Sequence, residues 1–355
     1  MQRSTPYSHF QAFAPAILEV YRRDKEAFWA AVMAPFLASQ VSILDWWQHL
    51  KVGVGLLAAF QGLDADARQV LKEIGAPLGV DIAQWKSNRS QYLKDAYPVF
   101  AFLAVWMSEE GLDDLVARFA DILQAGVLAV AGYGILDANV DGSASAPVEI
   151  LTAQALIAEY ETLALSIFGV SEANLRILHQ MRAYFLGAEI KEKAARGKSS
   201  PYRLEHPQDL GTKGANAVAP FMLSLERLGR AGQMDDYWQV FLLFGAAIQM
   251  IDDWEDLESD LAVGHYSYLT LLPGKLPDLR NTKKAARLLR TDAPRVQETY
   301  RVGKAMIAQA RTILERLEDR FLFRLVDVTE LRFENYFRKE LEFTQQHERK
   351  PYVQN

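Results

Sequence analysis

The chain contains no cysteine among its 355 residues. This absence excludes a disulfide scaffold, thiolate catalysis and any zinc or iron–sulfur site that depends on cysteine ligands. The chain also lacks an excess of positive charge, because 39 Lys and Arg stand against 45 Asp and Glu, a formal net charge of −6. Proteins bind nucleic acid through basic surfaces, so we do not expect nucleic acid to be the partner.

Segments typical of membrane insertion or export are not evident either. Residues 1–10 (MQRSTPYSHF) are polar and lack the apolar core of a signal peptide. The longest stretch with little charge, residues 122–140, is interrupted by Gln124, Asp137 and several glycines. We therefore expect no transmembrane segment and a cytoplasmic location.

Several common catalytic motifs are absent as well. The sequence contains no GxGxxG, GxSxG or HExxH pattern, and its six histidines are scattered singly. The segment 197–199 (GKS) resembles the end of a phosphate-binding loop, but Glu192 stands where that loop requires its first glycine.

Apolar residues recur at spacings of three and four along most of the chain, which predicts an all-α fold. The loops do not resemble linkers and no internal repeat is present, so we predict one domain over residues 1–355. A last long helix is expected after Asp292, with Pro294 in its first turn. The other predicted helices are residues 15–34, 42–60, 64–74, 88–108, 112–139, 148–168, 172–196, 212–228 and 235–261.

Two clusters of aspartate stand out against this helical background. Asp137 and Asp141 end one apolar helix, and a second cluster follows the apolar run 241–248. The second cluster contains Asp252, Asp253, Asp256 and Asp260. Four residues advance a helix only about 40° beyond one full turn, so Asp137 and Asp141 share a face, as do Asp252, Asp256 and Asp260.

Carboxylates stacked in this way repel each other unless a cation neutralises them. Oxygen ligands without cysteine or paired histidine favour Mg²⁺, with Mn²⁺ as a second possibility. Mg²⁺ often bridges a few carboxylates to phosphate groups, which indicates a phosphorylated small molecule held between two helices. A simpler interpretation also stands: the first pair could merely end a helix, and the second cluster could be a solvated acidic surface.

The second cluster resembles a motif of the class I isoprenoid synthase superfamily. Residues 252–256 (DDWED), preceded by residues 249–251 (QMI), resemble the second DDxxD motif of prenyl diphosphate synthases. Residues 212–214 (TKG) resemble their Lys-Thr motif, and residues 264–265 (GH) stand where these enzymes have Gly-Lys. The resemblance covers about residues 112–272, whereas residues 1–111 carry no motif that matches.

The first cluster departs from the pattern of prenyl diphosphate synthases. It is DxxxD rather than DDxxD, and it is followed by residues 142–147 (GSASAP) instead of paired arginines. In this respect it is similar to the class IB terpene synthases of bacteria. The resemblance therefore implies a terpene synthase that ionises one prenyl diphosphate, releases diphosphate, and cyclises or deprotonates the carbocation.

The resemblance also implies roles for particular residues. Asp137, Asp252 and Asp256 would act in catalysis and, with Asp141, Asp253 and Asp260, would hold three Mg²⁺ ions. Residues expected to bind the diphosphate are Lys213, Arg182 and Arg338. A dry aromatic cavity would protect the carbocation, with Tyr133, Phe185, Phe244 and Trp254 as candidates for its lining.

Two other functions remain open at this stage. The chain could be a prenyltransferase that condenses an allylic diphosphate with isopentenyl diphosphate or another acceptor. It could instead be a non-catalytic helical subunit that modulates a partner, although bare facing carboxylates argue against that role. The resemblance also makes a homodimer possible.

Overall fold

The computed structural model of the protein describes residues 7–25, 28–29, 54–80, 82, 90–140, 147–272 and 281–348. Within these ranges the regular elements are helices and no strand occurs, which confirms the predicted all-α class. The α-helices are α1 (Ser8–Arg23), α2 (Val54–Leu78), α3 (Ser90–Glu109), α4 (Asp113–Ala117), α5 (Phe119–Val140), α6 (Pro147–Phe168), α7 (Glu172–Ala195), α8 (Ala215–Arg227), α9 (Met234–Glu255), α10 (Leu257–Ala262), α11 (Thr282–Arg290), α12 (Ala293–Leu317) and α13 (Arg320–Glu348).

The first helix begins earlier than its sequence predicts. Pro15 was expected to open it, but α1 begins at Ser8 and Pro15 lies inside. Proline removes one helical hydrogen bond at this position. The turn before it nevertheless buries the rings of Phe10 and Phe13 almost completely. Burial of two aromatic rings offsets the lost hydrogen bond and keeps this turn helical.

The expected long C-terminal helix is two helices. The chain leaves α12 at Glu318, whose φ of 57° is left-handed, and restarts as α13 after Asp319. The Asp319 carboxylate accepts hydrogen bonds from the Leu322 N–H at 2.9 Å and from the Tyr237 hydroxyl at 3.1 Å. The bond from the Leu322 N–H makes Asp319 the cap of α13, so Phe321 lies in the first turn of α13.

The described chain groups into two compact units. The first comprises residues 1–180 and 219–231, and the second comprises residues 181–218 and 232–355. The prediction of one domain over the whole chain stays a prediction. The aspartate clusters lie in different units, because Asp137 belongs to the first and Asp252 to the second.

The first unit is built on helix packing between apolar faces. Helix α5 packs against α6, and α1 packs against α2 and α5. The Phe221 ring of α8 lies 5.6 Å from that of Phe102 and 5.3 Å from that of Trp106, both on α3. These buried rings attach α8 to α3 within this unit.

Two helices of the first unit are long and apolar enough to cross a membrane by length and composition. They are Phe119–Ala138 and Pro147–Phe168, of which 61% and 39% of the most apolar window are buried. Core helices of soluble proteins meet the same criterion. The expected absence of a transmembrane segment therefore stays a prediction.

Helix α9 is the centre of the second unit. It packs against α12, α13 and the 3₁₀ segment Pro207–Gly214. The fully buried Trp254 ring meets the Phe337 ring of α13 edge to face, with 5.5 Å between centroids. This packing holds the acidic end of α9 against the C-terminal helix.

Gly303 provides a test of how closely α12 and α13 approach each other. A Cβ at Gly303 would lie 2.0 Å from the Phe333 ring, whereas a Cβ at Gly187, in α7, would meet nothing within 4 Å. We expect Gly303→Ala to destabilise the protein by about 1–3 kcal/mol, because the buried ring cannot move freely. Gly187→Ala should be neutral or stabilising, by up to about 1 kcal/mol. Urea unfolding of both variants checks this, and equal midpoints would contradict it.

Candidate functional site

The second aspartate cluster keeps its helical spacing although α9 ends within it. The N–H of Asp256 donates to the Asp252 carbonyl at 2.9 Å, and the N–H of Asp260 donates to the Asp256 carbonyl at 2.9 Å. These bonds have the i to i−4 pattern of an α-helix. The three aspartates therefore lie along one side of the chain, as their sequence spacing predicts.

The end of α9 is anchored from α11. Arg290 donates hydrogen bonds of 2.8 Å to the carbonyls of Trp254 and Glu255. A cation at the C-terminus of a helix also interacts favourably with the helix dipole. Arg290 thus stabilises the turn that carries Asp256.

Burial and neighbouring carboxylates raise the pKa of Asp252 and Asp256. Burial raises the pKa of Asp256, and the negative charges of Asp252 and Asp260 raise it further. Burial also raises the pKa of Asp252, although the positive charges of Lys213 and Arg332 oppose that rise. The cluster therefore carries unfavourable negative charge that a further cation would relieve.

Asp253 is the buried member of the cluster, with 4% of its surface exposed. The Gln249 amide donates to its Oδ1 at 2.9 Å and to Asp252 Oδ2 at 3.0 Å. Among the described residues, Asp253 Oδ2 has no hydrogen-bond partner. Burial raises the pKa of Asp253 to about 7, even though Gln249 and Lys213 favour its ionised form.

A second group of charges surrounds Glu192, which is 4% exposed on α7. Lys213 Nζ lies 3.1 Å from Glu192 Oε2, and the Tyr202 hydroxyl donates to Oε1. The His265 ring is between two carboxylates, with Nε2 3.6 Å from Glu192 Oε2 and Nδ1 3.7 Å from Asp260 Oδ1. We call Glu192, Tyr202, Lys213 and His265 the Glu192 cluster.

The pKa values within the Glu192 cluster shift in opposite directions. Burial alone would raise the pKa of Glu192, but His265 and Lys213 lower it to about 2. Burial alone would lower the pKa of His265, but Asp260 and Glu192 raise it to about 10. Both side chains are therefore charged at neutral pH, and each stabilises the charge of the other.

Close backbone packing places Lys213 beside α9. A Cβ at Gly211 would lie 2.2 Å from the Leu242 carbonyl oxygen, so glycine is required where the 3₁₀ segment meets α9. The loop before this segment is tied down as well. The Gly197 N–H donates to the Gly264 carbonyl at 2.7 Å, and the Tyr268 hydroxyl donates to the Leu204 carbonyl at 3.1 Å.

The first aspartate cluster is described only in part. Asp137 is partly buried near the end of α5, and Tyr133, one turn earlier, is 3% exposed. Asp141 lies outside the described residues. The assignment of this pair to a metal site stays a prediction.

The candidate diphosphate-binding cations occupy different environments. Lys213 belongs to the Glu192 cluster, Arg182 is partly buried on α7, and Arg338 is exposed on α13. The charge of Arg332, also on α13, acts on Asp252 and on Glu255. Sequence reasoning missed Arg332, because no local pattern distinguishes it from the other basic residues of this helix.

The aromatic candidates of the second unit are largely packed. Trp254 is fully buried against Phe337, Phe185 is 5% exposed on α7, and Phe244 is partly buried with its ring 5.5 Å from that of Phe241. Their role in lining a substrate cavity stays a prediction.

The donor set suits a hard cation, although the aspartates do not form a complete cage. In the part of the chain that the structure describes, no group of three or more His, Asp or Glu side chains is arranged to hold a metal ion. Mg²⁺ requires no such cage, since it often binds one or two carboxylates and completes its shell with water and substrate phosphates. The carboxylate oxygens of the second aspartate cluster are thus compatible with Mg²⁺, and so is Asp253 Oδ2, which has no hydrogen-bond partner among the described residues.

Comparisons with known proteins include a weak structural likeness. No protein family and no curated protein matches this sequence. A solved polyprenyl synthase from Roseobacter denitrificans is similar with a TM-score of 0.45 and 12% identity, over 90% of this chain and 99% of that chain. Both chains are helical, and a likeness of this size carries no information about a reaction.

The raised pKa of His265 predicts a pH-dependent contribution to stability. Since the folded pKa of about 10 exceeds the usual 6.5, the stabilisation is complete below about pH 6.5 and is lost as the pH rises through 10. We expect His265→Gln to lower the free energy of unfolding by on the order of 1–3 kcal/mol at pH 6, and by less at pH 10. Urea unfolding of the metal-free protein checks this, with His206→Gln, at an exposed loop position, as control. A loss of equal size at both pH values would contradict the assignment.

The raised pKa of Asp253 predicts that this residue destabilises the folded chain at high pH. A buried carboxyl whose pKa rises from 3.8 to about 7 destabilises the folded chain once it ionises, so the penalty grows from about pH 4 and is complete above pH 7. Asp253→Asn should therefore stabilise the metal-free protein at pH 8.5, by on the order of 2–4 kcal/mol, and by less at pH 5. The exposed Asp235 of α9 provides the control variant Asp235→Asn. A gain that does not depend on pH would show that Asp253 is not the responsible group.

Proposed function

We propose that this chain is a Mg²⁺-dependent terpene synthase that ionises a prenyl diphosphate. The observation that carries the proposal is the acidic side of α9 and α10, where Asp252, Asp256 and Asp260 follow one another at helical spacing. The charge of Lys213 acts on Asp252 at this place. An array of carboxylates next to a lysine suits a substrate that brings metal ions and phosphate oxygens together. The resemblance of residues 252–256 to the second DDxxD motif gives the same interpretation.

The aspartates of the second cluster would hold the metal. Asp252, Asp253, Asp256 and Asp260 are the proposed ligands of Mg²⁺, and a metal-binding role for Asp137 and Asp141 of the first unit is a separate proposal. Bound Mg²⁺ supplies Lewis-acid stabilisation of negative charge on a phosphate leaving group. Mn²⁺ has the same preference for oxygen ligands and is the expected substitute.

The proposed reaction begins when the bond between the allylic carbon and the diphosphate oxygen breaks. The electron pair leaves with the diphosphate, and the prenyl group becomes an allylic cation. The Lys213 ammonium donates hydrogen bonds to the leaving oxygens, with Arg182 and Arg338 as further candidates. The cation then loses a proton to the released diphosphate or is captured by water, either directly or after attack by its own double bond has closed a ring. One substrate therefore yields diphosphate and a hydrocarbon or an alcohol.

Prenyl transfer to a second diphosphate is the alternative reaction. It needs cationic side chains for an acceptor diphosphate, and the segment 142–147 (GSASAP) after the first aspartate cluster contains no arginine or lysine. This composition favours the reaction with a single substrate. Terpene synthase rather than prenyltransferase is therefore our first proposal.

One assay separates these functions. Purified protein is incubated with Mg²⁺ and geranyl, farnesyl or geranylgeranyl diphosphate, with and without isopentenyl diphosphate, and both products and released diphosphate are measured. We expect a hydrocarbon or alcohol from a single substrate. Product that forms only with isopentenyl diphosphate would support the prenyltransferase, and no turnover in any combination would contradict both.

Substitution of the acidic residues tests whether they carry the activity. The double variant Asp252→Ala plus Asp256→Ala should lose at least about 100-fold in kcat, because the proposed charge stabilisation of the leaving group disappears. Asp235→Ala, at an exposed position in the first turn of the same helix, should keep its activity. Full activity in the double variant would refute the proposed site even if the chain turns over a prenyl diphosphate.

A further inference from the structure

Glu192 contacts side chains from three other segments of the second unit. It projects from α7 and is 4% exposed, and polar side chains reach it from the loop before the 3₁₀ segment, from that segment and from the turn after α10. The Tyr202 hydroxyl donates a hydrogen bond to Oε1, whereas Lys213 and His265 form ion pairs with Oε2 at 3.1 and 3.6 Å. A buried carboxylate with partners on both oxygens has a defined position.

A buried, ionised glutamate is an energetically unfavourable means of joining three segments. Removing an ionised carboxylate from water costs several kcal/mol, and apolar side chains of similar volume often stabilise a protein as well or better. Stability alone therefore does not account for an ionised glutamate at this place. A better explanation for the Glu192 cluster is that it holds a cation at a fixed position.

Lys213 is the cation that Glu192 fixes. A lysine side chain is flexible and loses considerable entropy when its ammonium is held at one point. Here one carboxylate oxygen, 3.1 Å away, restrains the ammonium, whose charge also acts on Asp252 and Asp253. The side chain nevertheless stays 19% exposed, so a ligand can reach it from solvent.

We propose that Glu192 is a positioning residue that sets the location of the Lys213 ammonium beside the acidic side of α9. Tyr202 and His265 hold the Glu192 carboxylate, and through it they act on Lys213. The inference rests on the proposed function, since it assumes that Lys213 meets the diphosphate group of a substrate. Glu192 itself touches no substrate in this scheme.

The direction in which Glu192→Gln changes the affinity for an anion distinguishes a positioning role from a purely electrostatic one. Glu192→Gln keeps the shape of the side chain and removes one negative charge near the site. By Coulomb's law alone, an anion should then bind more tightly. If Glu192 positions Lys213, the anion should bind more weakly, because the ammonium is no longer held where the anion meets it.

The experiment measures binding of inorganic pyrophosphate in the presence of Mg²⁺ by calorimetry, on the full chain. We expect Lys213→Gln to weaken binding by about tenfold or more, as for loss of a hydrogen bond to a charged group, and Glu192→Gln to weaken it by about fivefold. In the double variant Lys213→Gln plus Glu192→Gln, binding should be weaker than in Lys213→Gln alone by less than about twofold, because Glu192 acts through Lys213. Glu330→Gln, which breaks an ion pair with Lys304 in the same unit, should leave binding unchanged.

The outcomes separate this inference from the proposed function. If the wild-type chain does not bind pyrophosphate with Mg²⁺, the proposed function fails. If it binds, but Glu192→Gln binds equally well or more tightly, or the losses in Lys213→Gln and Glu192→Gln are additive, the positioning role is overturned and the function stands.

A second variant is available if Glu192→Gln does not fold. Tyr202→Phe keeps the negative charge of Glu192 and removes one hydrogen bond that holds its carboxylate. It should weaken binding by about twofold in the wild-type background and have no effect in Lys213→Gln.

Discussion

Negative charge concentrated at the end of α9 is the constraint on which the second unit depends. The aspartates of this stretch are close in sequence. Burial raises the pKa of Asp252 and Asp256, and the negative charge of Asp260 raises both further. A helix carrying such a face requires positive charge from elsewhere in the chain. Lys213 and His265 provide it from either side of α9 in the sequence, and Arg332 provides it from α13.

Lys213 and His265 both form ion pairs with Glu192, so charges of opposite sign alternate through the site. From Asp260 the sequence of contacts passes to His265, then to Glu192, and then to Lys213. Each member has a neighbour of opposite sign, which explains why the pKa of Glu192 falls while that of His265 rises. At Asp252 and Asp253, by contrast, burial outweighs the charge of Lys213, and the pKa of each rises.

Sequence reasoning identified the features that depend on local spacing. The helical class and the shared side of Asp252, Asp256 and Asp260 follow from the period of 3.6 residues, and both agree with the structure. The break at Glu318 was missed because it depends on Asp319, whose carboxylate is held by Tyr237 from a distant helix. The early start of α1 was missed for a related reason, since burial of Phe10 and Phe13 outweighs the local effect of Pro15.

The sequence by itself determined the kind of chemistry available: carboxylates at helical spacing, a lysine whose position in the sequence is between the two aspartate clusters, and no thiolate. It also marked Glu192, but only as the residue that breaks a phosphate-loop pattern. Only the tertiary structure decided which charges meet, placing Glu192 between Lys213 and His265 and putting Arg332 near Asp252. The physical reason is that helical periodicity is local, whereas the partner of a buried charge is chosen by how distant segments pack.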